Sequence, residues 1–237
     1  MINGTLRSRQ GYLFDEEVQV LKRSSGAGNN FAHGYFGYGD YHCSTFEEML
    51  RRQVEKCGCL ETVLFMHSLG GGTGSGFGTR ILAEVADILP KVNRAVTSVL
   101  PSKEASDVVT SPYNMLLALK KISDCASVSF PVDNNKLAEL GRLSGFGRPS
   151  RCDKVNETAE SGFYSMNVTI AKVLSDLTNF TGFQEDRRTY LFDIKGRLSN
   201  PKKHFLTTST SLSDGNKATK FSQYAARSSQ VGYSFIS

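Results

Sequence analysis

The sequence predicts an α/β fold, a three-layer arrangement with a parallel sheet and helices on both faces. Two observations carry this. Short apolar β-forming runs at Val63–Met66, Ala95–Leu100 and Ala126–Val132 alternate with segments of helical period. Each run is followed by a polar loop: Gly70–Gly76, Pro101–Thr110 and Asp133-Asn134. In parallel sheets such loops gather at the carboxyl ends of the strands, so these three line one crevice.

Taken in order, residues 1–25 show little pattern beyond a short strand at Val18–Leu21. Gly26–Asn30 is a turn-rich loop suited to tight backbone geometry. The aromatic, glycine-rich stretch Tyr35–Tyr41 reads as a loop. Phe46, Met49, Leu50, Val54 and Cys57 then recur at helical spacing, with Ser44 or Thr45 as the cap before Glu47-Glu48. Val63–Met66 reads as a buried strand, and Phe77, Ile81, Leu82, Val85, Ile88 and Leu89 form a helix ended by Pro90. After the second strand, Ser111-Pro112 opens a helix, serine capping and proline in the first turn, with Tyr113, Leu116, Leu117 and Leu119 as its apolar face. The third strand precedes a short helix over Lys136–Leu143.

Ser144–Asp153 is a flexible connection, and Phe163, Met166, Ile170, Val173, Leu174 and Leu177 make the stripe of a long core helix. This divides the chain into a domain over 1–162, a core helix over 163–180, the start of a second domain over 181–206, and a disordered tail over 207–237. The tail is rich in Thr, Ser, Gly, Asn and Lys, with its apolar residues isolated.

Composition excludes several function classes. The chain has 237 residues, 39% hydrophobic and 22% charged, an ordinary globular mixture. No apolar run approaches the roughly 20 residues that span a bilayer, so no membrane partner is expected. The net charge of +5 is spread along the chain rather than concentrated in a stripe with aromatics. That argues against a nucleic-acid partner. Five cysteines at irregular spacing fit reduced thiols, and Cys57-Gly58-Cys59 has the wrong spacing for a zinc pair, so no metal site is expected among the side chains.

The most informative stretch is Gly70-Gly71-Gly72-Thr73-Gly74-Ser75-Gly76, between a strand and a helix. Free amide groups and the helix dipole make such a junction an anion site, and Thr73 and Ser75 add hydroxyls. Phe77 stands where a Walker loop needs lysine, and it also breaks the dinucleotide pattern begun by Gly72-Thr73-Gly74. Thr73 stands where a nucleophile elbow needs glycine before Ser75. Two readings remain: a phosphate cradle, favoured by the strand before and the helix after, and a glycine-rich turn packing a helix against a sheet.

His67-Ser68-Leu69 followed by this loop resembles the tubulin signature. Gly28-Asn29-Asn30-Phe31-Ala32 with Gly34 is similar to the family's loop facing the terminal phosphate. Val96–Ser102, Val109–Asn114 and Pro131–Asn134 look most like the epsilon branch. The resemblance is strong over 26–140 and fair over 163–205. It implies a tubulin/FtsZ-like GTPase fold with a Rossmann-like nucleotide domain, incomplete here, whose long central helix falls at 163–180. It implies GTP or GDP as ligand with Mg²⁺, other tubulins as head-to-tail partners, and a place in the cytoplasm and cytoskeleton, at centrioles or basal bodies for the epsilon branch.

The resemblance also assigns residues. Ser68, Gly70, Gly71, Gly72, Thr73 and Gly74 would hold phosphates, and Ala27, Gly28 and Asn29 would close over the last one. Asn134 and Asn167 would read the guanine edge, with Phe163 where the family has a stacking tyrosine. Asp107 and Ser111 fall at ribose-side positions, Ser111 replacing a glutamate. The hydrolytic acid falls at Asp193 when counted forward from Asn167, and at Phe192 when counted back from Pro201. The family's first strand, with its phosphate and Mg²⁺ loop, would precede Met1, so weak or no GTP binding is expected of the isolated chain. Three functions follow: a GTP-binding structural subunit of microtubules, a GTPase completed by a neighbouring subunit, or a non-binding remnant of an epsilon-tubulin gene.

Overall fold

The computed structural model describes residues 21, 25–101, 108–137, 166–167, 170–171, 174 and 205–206. Asp107, Phe163 and Asp193 lie outside the described residues, as do residues 18–20 of the short strand expected over Val18–Leu21, the connection at 144–153, almost all of 181–206 and the tail after Thr207.

Three strands, β1 (Thr62–Ser68), β2 (Asn93–Leu100) and β3 (Val128–Asp133), form one parallel sheet in the order β1-β2-β3. The register sets Phe65 beside Val96, His67 beside Ser98, and Ser98 beside Pro131. Helix α2 (Gly78–Ile88) crosses from β1 to β2, and α3 (Ser111–Cys125) from β2 to β3. Parallel crossovers are right-handed, and this strand order steps the same way twice. Both helices therefore fall on one face of the sheet. The main core cluster agrees, joining Leu82 of α2 with Ala118 and Ile122 of α3 over Val96 and Phe65. On the opposite face Ala95, Val128 and Phe130 form a second cluster, packed by Leu206. The parallel α/β sheet is the expected one, but among the described residues both crossover helices lie on one face rather than on both. Residues 166–167, 170–171 and 174, inside the expected core helix, are helical.

The helix before β1 starts earlier than its apolar pattern indicates. It runs from Phe31, through a π-helical turn at His33–Tyr38, into α1 (Gly39–Glu55). Tyr35–Tyr41 is thus helix rather than loop, and neither Ser44 nor Thr45 is its cap. Asn30 caps it instead: Asn30 Oδ1 accepts from Ala32 N–H at 2.9 Å and His33 N–H at 3.4 Å. Burial of Phe31, Tyr35 and Tyr38 overrides the loop signal of Gly34, Gly37 and Gly39. Tyr35 packs into the core with Arg80 Cζ 5.5 Å and Lys121 Nζ 5.1 Å from its ring centre.

Three further expectations need correction. β1 is half-buried on one face and open on the other, with Met66 63% exposed, because both crossover helices cover the same face. Ser111 is the first residue of α3 rather than its cap; Thr110 holds the cap position and makes no side-chain cap bond. β3 begins at Val128, two residues late, because Ser127 is taken up by Arg94. Ser127 N–H donates to Arg94 O at 2.9 Å, and Arg94 N–H donates to Ser127 Oγ at 3.2 Å. The Arg94 guanidinium also donates to Cys125 O, Leu89 O and Val92 O at 2.7–3.2 Å. It ties the far ends of α2 and α3 to the floor of the sheet and leaves the opposite, carboxyl end to the polar loops.

Candidate functional site

The register brings the carboxyl ends of the three strands together, at Ser68, Leu100 and Asp133. Beyond Ser68 the chain turns through Leu69, Gly70 and Gly71. Leu69 is fully buried, and its N–H donates to Val99 O at 3.0 Å. Helical structure already begins at Gly72, with a π-helical turn over Thr73–Phe77 that leads into α2. The glycine stretch is therefore half turn and half helix start. The first amides of such a helix have no intrahelical acceptor and carry the positive end of its dipole.

The glycines divide their duties. A Cβ on Gly72 would stand 2.5 Å from Asn30 N, one on Gly74 2.3 Å from Ser68 O, and one on Gly76 2.3 Å from Phe31 O. These three are filled by the protein's own backbone, as the close-packing reading of the loop expects. A Cβ on Gly71 would meet only Asn29 Oδ1, at 3.8 Å, and one on Gly70 would touch Pro101 at 3.2 Å. Gly70 and Gly71, with the exposed Ser68 and Thr73, are what the turn presents outward. Ser75 is turned inward and buried, its hydroxyl donating to Gly71 O.

Facing this turn is the 27–30 loop. Gly28 and Asn29 hold left-handed backbone, φ +59° and +52°, a conformation that glycine and asparagine adopt most readily. Ala27 is buried, and its N–H donates to Thr73 Oγ1 at 3.4 Å. Gly28 and Asn29 are exposed. Two residues assigned to opposite sides of a phosphate are thus in direct contact across the gap.

Two further residues, given no role from the sequence, organise the site. Asn114, 3% exposed in the first turn of α3, accepts from Phe31 N–H at 3.0 Å. Its Nδ2 donates to Asn29 O at 2.8 Å and Gly70 O at 3.1 Å. Thr110 Oγ1 donates to the same Asn29 O at 2.9 Å. His67 lies under the helix start, with Nδ1 2.7 Å from Gly74 O and Nε2 3.3 Å from Ser98 Oγ. A carbonyl only accepts, so the proton sits on Nδ1 and Nε2 accepts from the Ser98 hydroxyl. Burial holds the His67 pKa below its ordinary 6.5, and the bond to Gly74 O opposes this in part. The Asn114 partners are main-chain atoms distant in sequence, and the distant partner of His67 is the Ser98 side chain. The one local signal was asparagine and histidine where a core position reads apolar.

The remaining assigned residues are less tightly joined to this turn. Ser111 is buried, its Oγ 3.7 Å from the position a Gly70 Cβ would take. Asn134 opens the helical residues 134–137 directly after β3 and is half-buried, while Asn167 is helical and exposed. Among the described residues no hydrogen bond links either to the two loops. Among the described residues one group with metal-ligand chemistry exists away from the turn. Cys43, Glu47 and Glu84 bring their ligand atoms within 4.8 Å of one another, but Arg80 pairs with Glu84 at 2.8 Å and supplies the cation there.

The arrangement can bind an anion with main-chain amides and hydroxyls. Residues 26–31 and 68–76 include no Asp or Glu, so these loops give a divalent cation no carboxylate ligand.

Comparison with known proteins gives this geometry a family. The model of the Tubulin/FtsZ family, GTPase domain, matches residues 2–142. The chain is 35% identical to the mouse tubulin epsilon chain over 225 residues, covering 88% of this chain and 47% of that one. The human tubulin epsilon chain matches at 33% with the same coverage. The tubulin beta-1 chain of Colletotrichum gloeosporioides matches at 35% over 165 residues, 70% of this chain and 34% of that one. The chain thus spans about half the length, or less, of the curated relatives it matches.

Proposed function

The chain belongs to the Tubulin/FtsZ family through its GTPase domain, and on that premise we propose that it is a guanine-nucleotide-binding, tubulin-like structural subunit. The observation that carries the reading is the paired loop at the carboxyl end of the sheet. Outward-facing Gly70, Gly71 and Thr73 meet the left-handed Gly28-Asn29 turn across a gap bridged by Ala27 N–H and Thr73 Oγ1. In this reading the phosphates lie over the Ser68–Gly74 helix start, and Ala27–Asn29 closes on the last of them. Asn134 and Asn167 would read the base, Phe163 would stack on it, and Asp107 and Ser111 would stand beside the ribose.

GTP would supply the charge that orders the two loops. Any Mg²⁺ would be held by phosphate oxygens and water, given the absence of carboxylates from both loops. The likeness to epsilon chains supports head-to-tail assembly with other tubulins in the cytoskeleton, at centrioles or basal bodies. Neither loop carries a general base for water, so hydrolysis would need an acid from a neighbouring subunit, for which Asp193 is the candidate. Turnover that rises with the square of protein concentration would support that second reading; turnover independent of concentration would dismiss it.

The test of binding is competition for a fluorescent guanine nucleotide by GTP, GDP and ATP. We expect GTP to compete, with Kd weaker than about 1 µM because only two loops hold its phosphates, and ATP to fail. Gly71→Ala, whose methyl group enters the gap beside Asn29 without a clash, should weaken GTP on the order of tenfold, about 1.4 kcal/mol. Equal competition by ATP, or no effect of Gly71→Ala, would overturn the proposal.

A further inference from the structure

We infer that Asn114 is a positioning residue that sets the gap between the two phosphate-side loops, and so governs the preference for triphosphate over diphosphate. The inference rests on the guanine-nucleotide reading above and deepens it. Three of the four hydrogen-bonding positions of the Asn114 amide are engaged, each on a different piece of main chain: Phe31 N–H, Asn29 O and Gly70 O. The partners come from the opening of helix 31–55, the left-handed turn before it, and the turn after β1.

No other described side chain binds both loops and the helix start at once. Thr110 reaches only Asn29 O, and Thr73 links only to Ala27 N–H. Asn114 is buried, so water does not replace a lost bond at little cost. Its own atoms are spent on the protein, which makes it a determinant of loop spacing rather than a ligand contact. A diphosphate needs one loop; only a third phosphate needs both at a fixed separation. Losing the clamp should therefore act on GTP far more than on GDP.

Asn114→Asp keeps the acceptor for Phe31 N–H, removes both donations at nearly unchanged shape, and sets a carboxylate charge against Asn29 O and Gly70 O. Ile122→Val shortens a fully buried side chain about two turns further along the same helix and serves as the control. Two measurements apply to each variant: the ratio of GTP to GDP affinity, and hydrogen exchange of the nucleotide-free chain. We expect the wild type to prefer GTP, and Asn114→Asp to bring the two affinities within about twofold with GDP affinity nearly unchanged. Exchange at residues 29–34 should rise in Asn114→Asp, while β1 and β2 stay protected. Ile122→Val should leave the affinity ratio where it was.

A preference for GTP retained in Asn114→Asp overturns this inference and leaves the binding proposal standing. So does an equal loss in Ile122→Val, which would mark general destabilisation. A wild type that binds neither nucleotide overturns both.

Discussion

Gly76→Ala probes one of the closest backbone approaches among the described residues. The added Cβ would stand 2.3 Å from Phe31 O, 2.7 Å from Tyr35 N and 2.9 Å from Gly34 Cα. All three are backbone, so no side chain can swing aside. To restore ordinary contact the 72–88 helix and the 31–55 helix must separate by about 1 Å. Strain of this kind costs about 1–3 kcal/mol, and alanine in place of a helical glycine returns about 0.5–1 kcal/mol. The net expectation is a loss of about 1–2 kcal/mol, or roughly 2–8 °C in Tm for a chain of this size. Urea unfolding followed by circular dichroism reads it as a lower midpoint at unchanged slope. Gly71→Ala is the comparator, since its methyl meets only Asn29 Oδ1 at 3.8 Å. A Gly76→Ala protein within about 0.5 kcal/mol of wild type, or an equal loss in Gly71→Ala, would refute the packing account of the glycines.

Two further predictions concern the same neighbourhood. The His67 pKa is lowered by burial in the folded chain, so the unfolded chain takes up the proton first. The stability this residue contributes is complete above about pH 6.5 and is lost as the pH falls from there toward the folded value. His67→Gln should flatten the decline in stability between about pH 6.5 and pH 5, measured by urea midpoints across that window; an unchanged decline would refute the assignment. Asn30→Ala removes the side-chain cap of the 31–55 helix and should lower stability by about 0.5–2 kcal/mol, while Asn30→Asp, which keeps the acceptor, should lose far less in the same unfolding assay.

Much of the fold was legible because parallel strands alternating with helices leave a simple pattern. Val63–Met66 and Ala95–Leu100 lie inside β1 and β2, and the loops after them meet at one edge. What the pattern could not carry was the direction of stepping. The order β1-β2-β3 places both crossovers on one face and leaves Met66 open, and nothing in the run Val63–Met66 signals that. Gly34, Gly37 and Gly39 read as loop formers, yet a Cβ on Gly34 would stand 2.2 Å from Gly72 O. The same residue marks a turn in one setting and a tight crossing of two helices in another. The site shows the same division. Its glycines and the Gly28-Asn29 turn announce themselves by composition, whereas Asn114 owes its importance to backbone distant in sequence and His67 to Ser98 on the neighbouring strand, which sequence spacing does not encode.

The central claim is that guanine nucleotide phosphates rest on the turn after β1 and against the 27–29 loop. Backbone amide NMR during a GTP titration tests it most directly. The account predicts that the amides of Gly70, Gly71, Gly72, Thr73, Gly28 and Asn29 shift together and saturate with one affinity, while ATP moves none of them. Shifts confined to other parts of the chain, or an identical response to ATP, would contradict it.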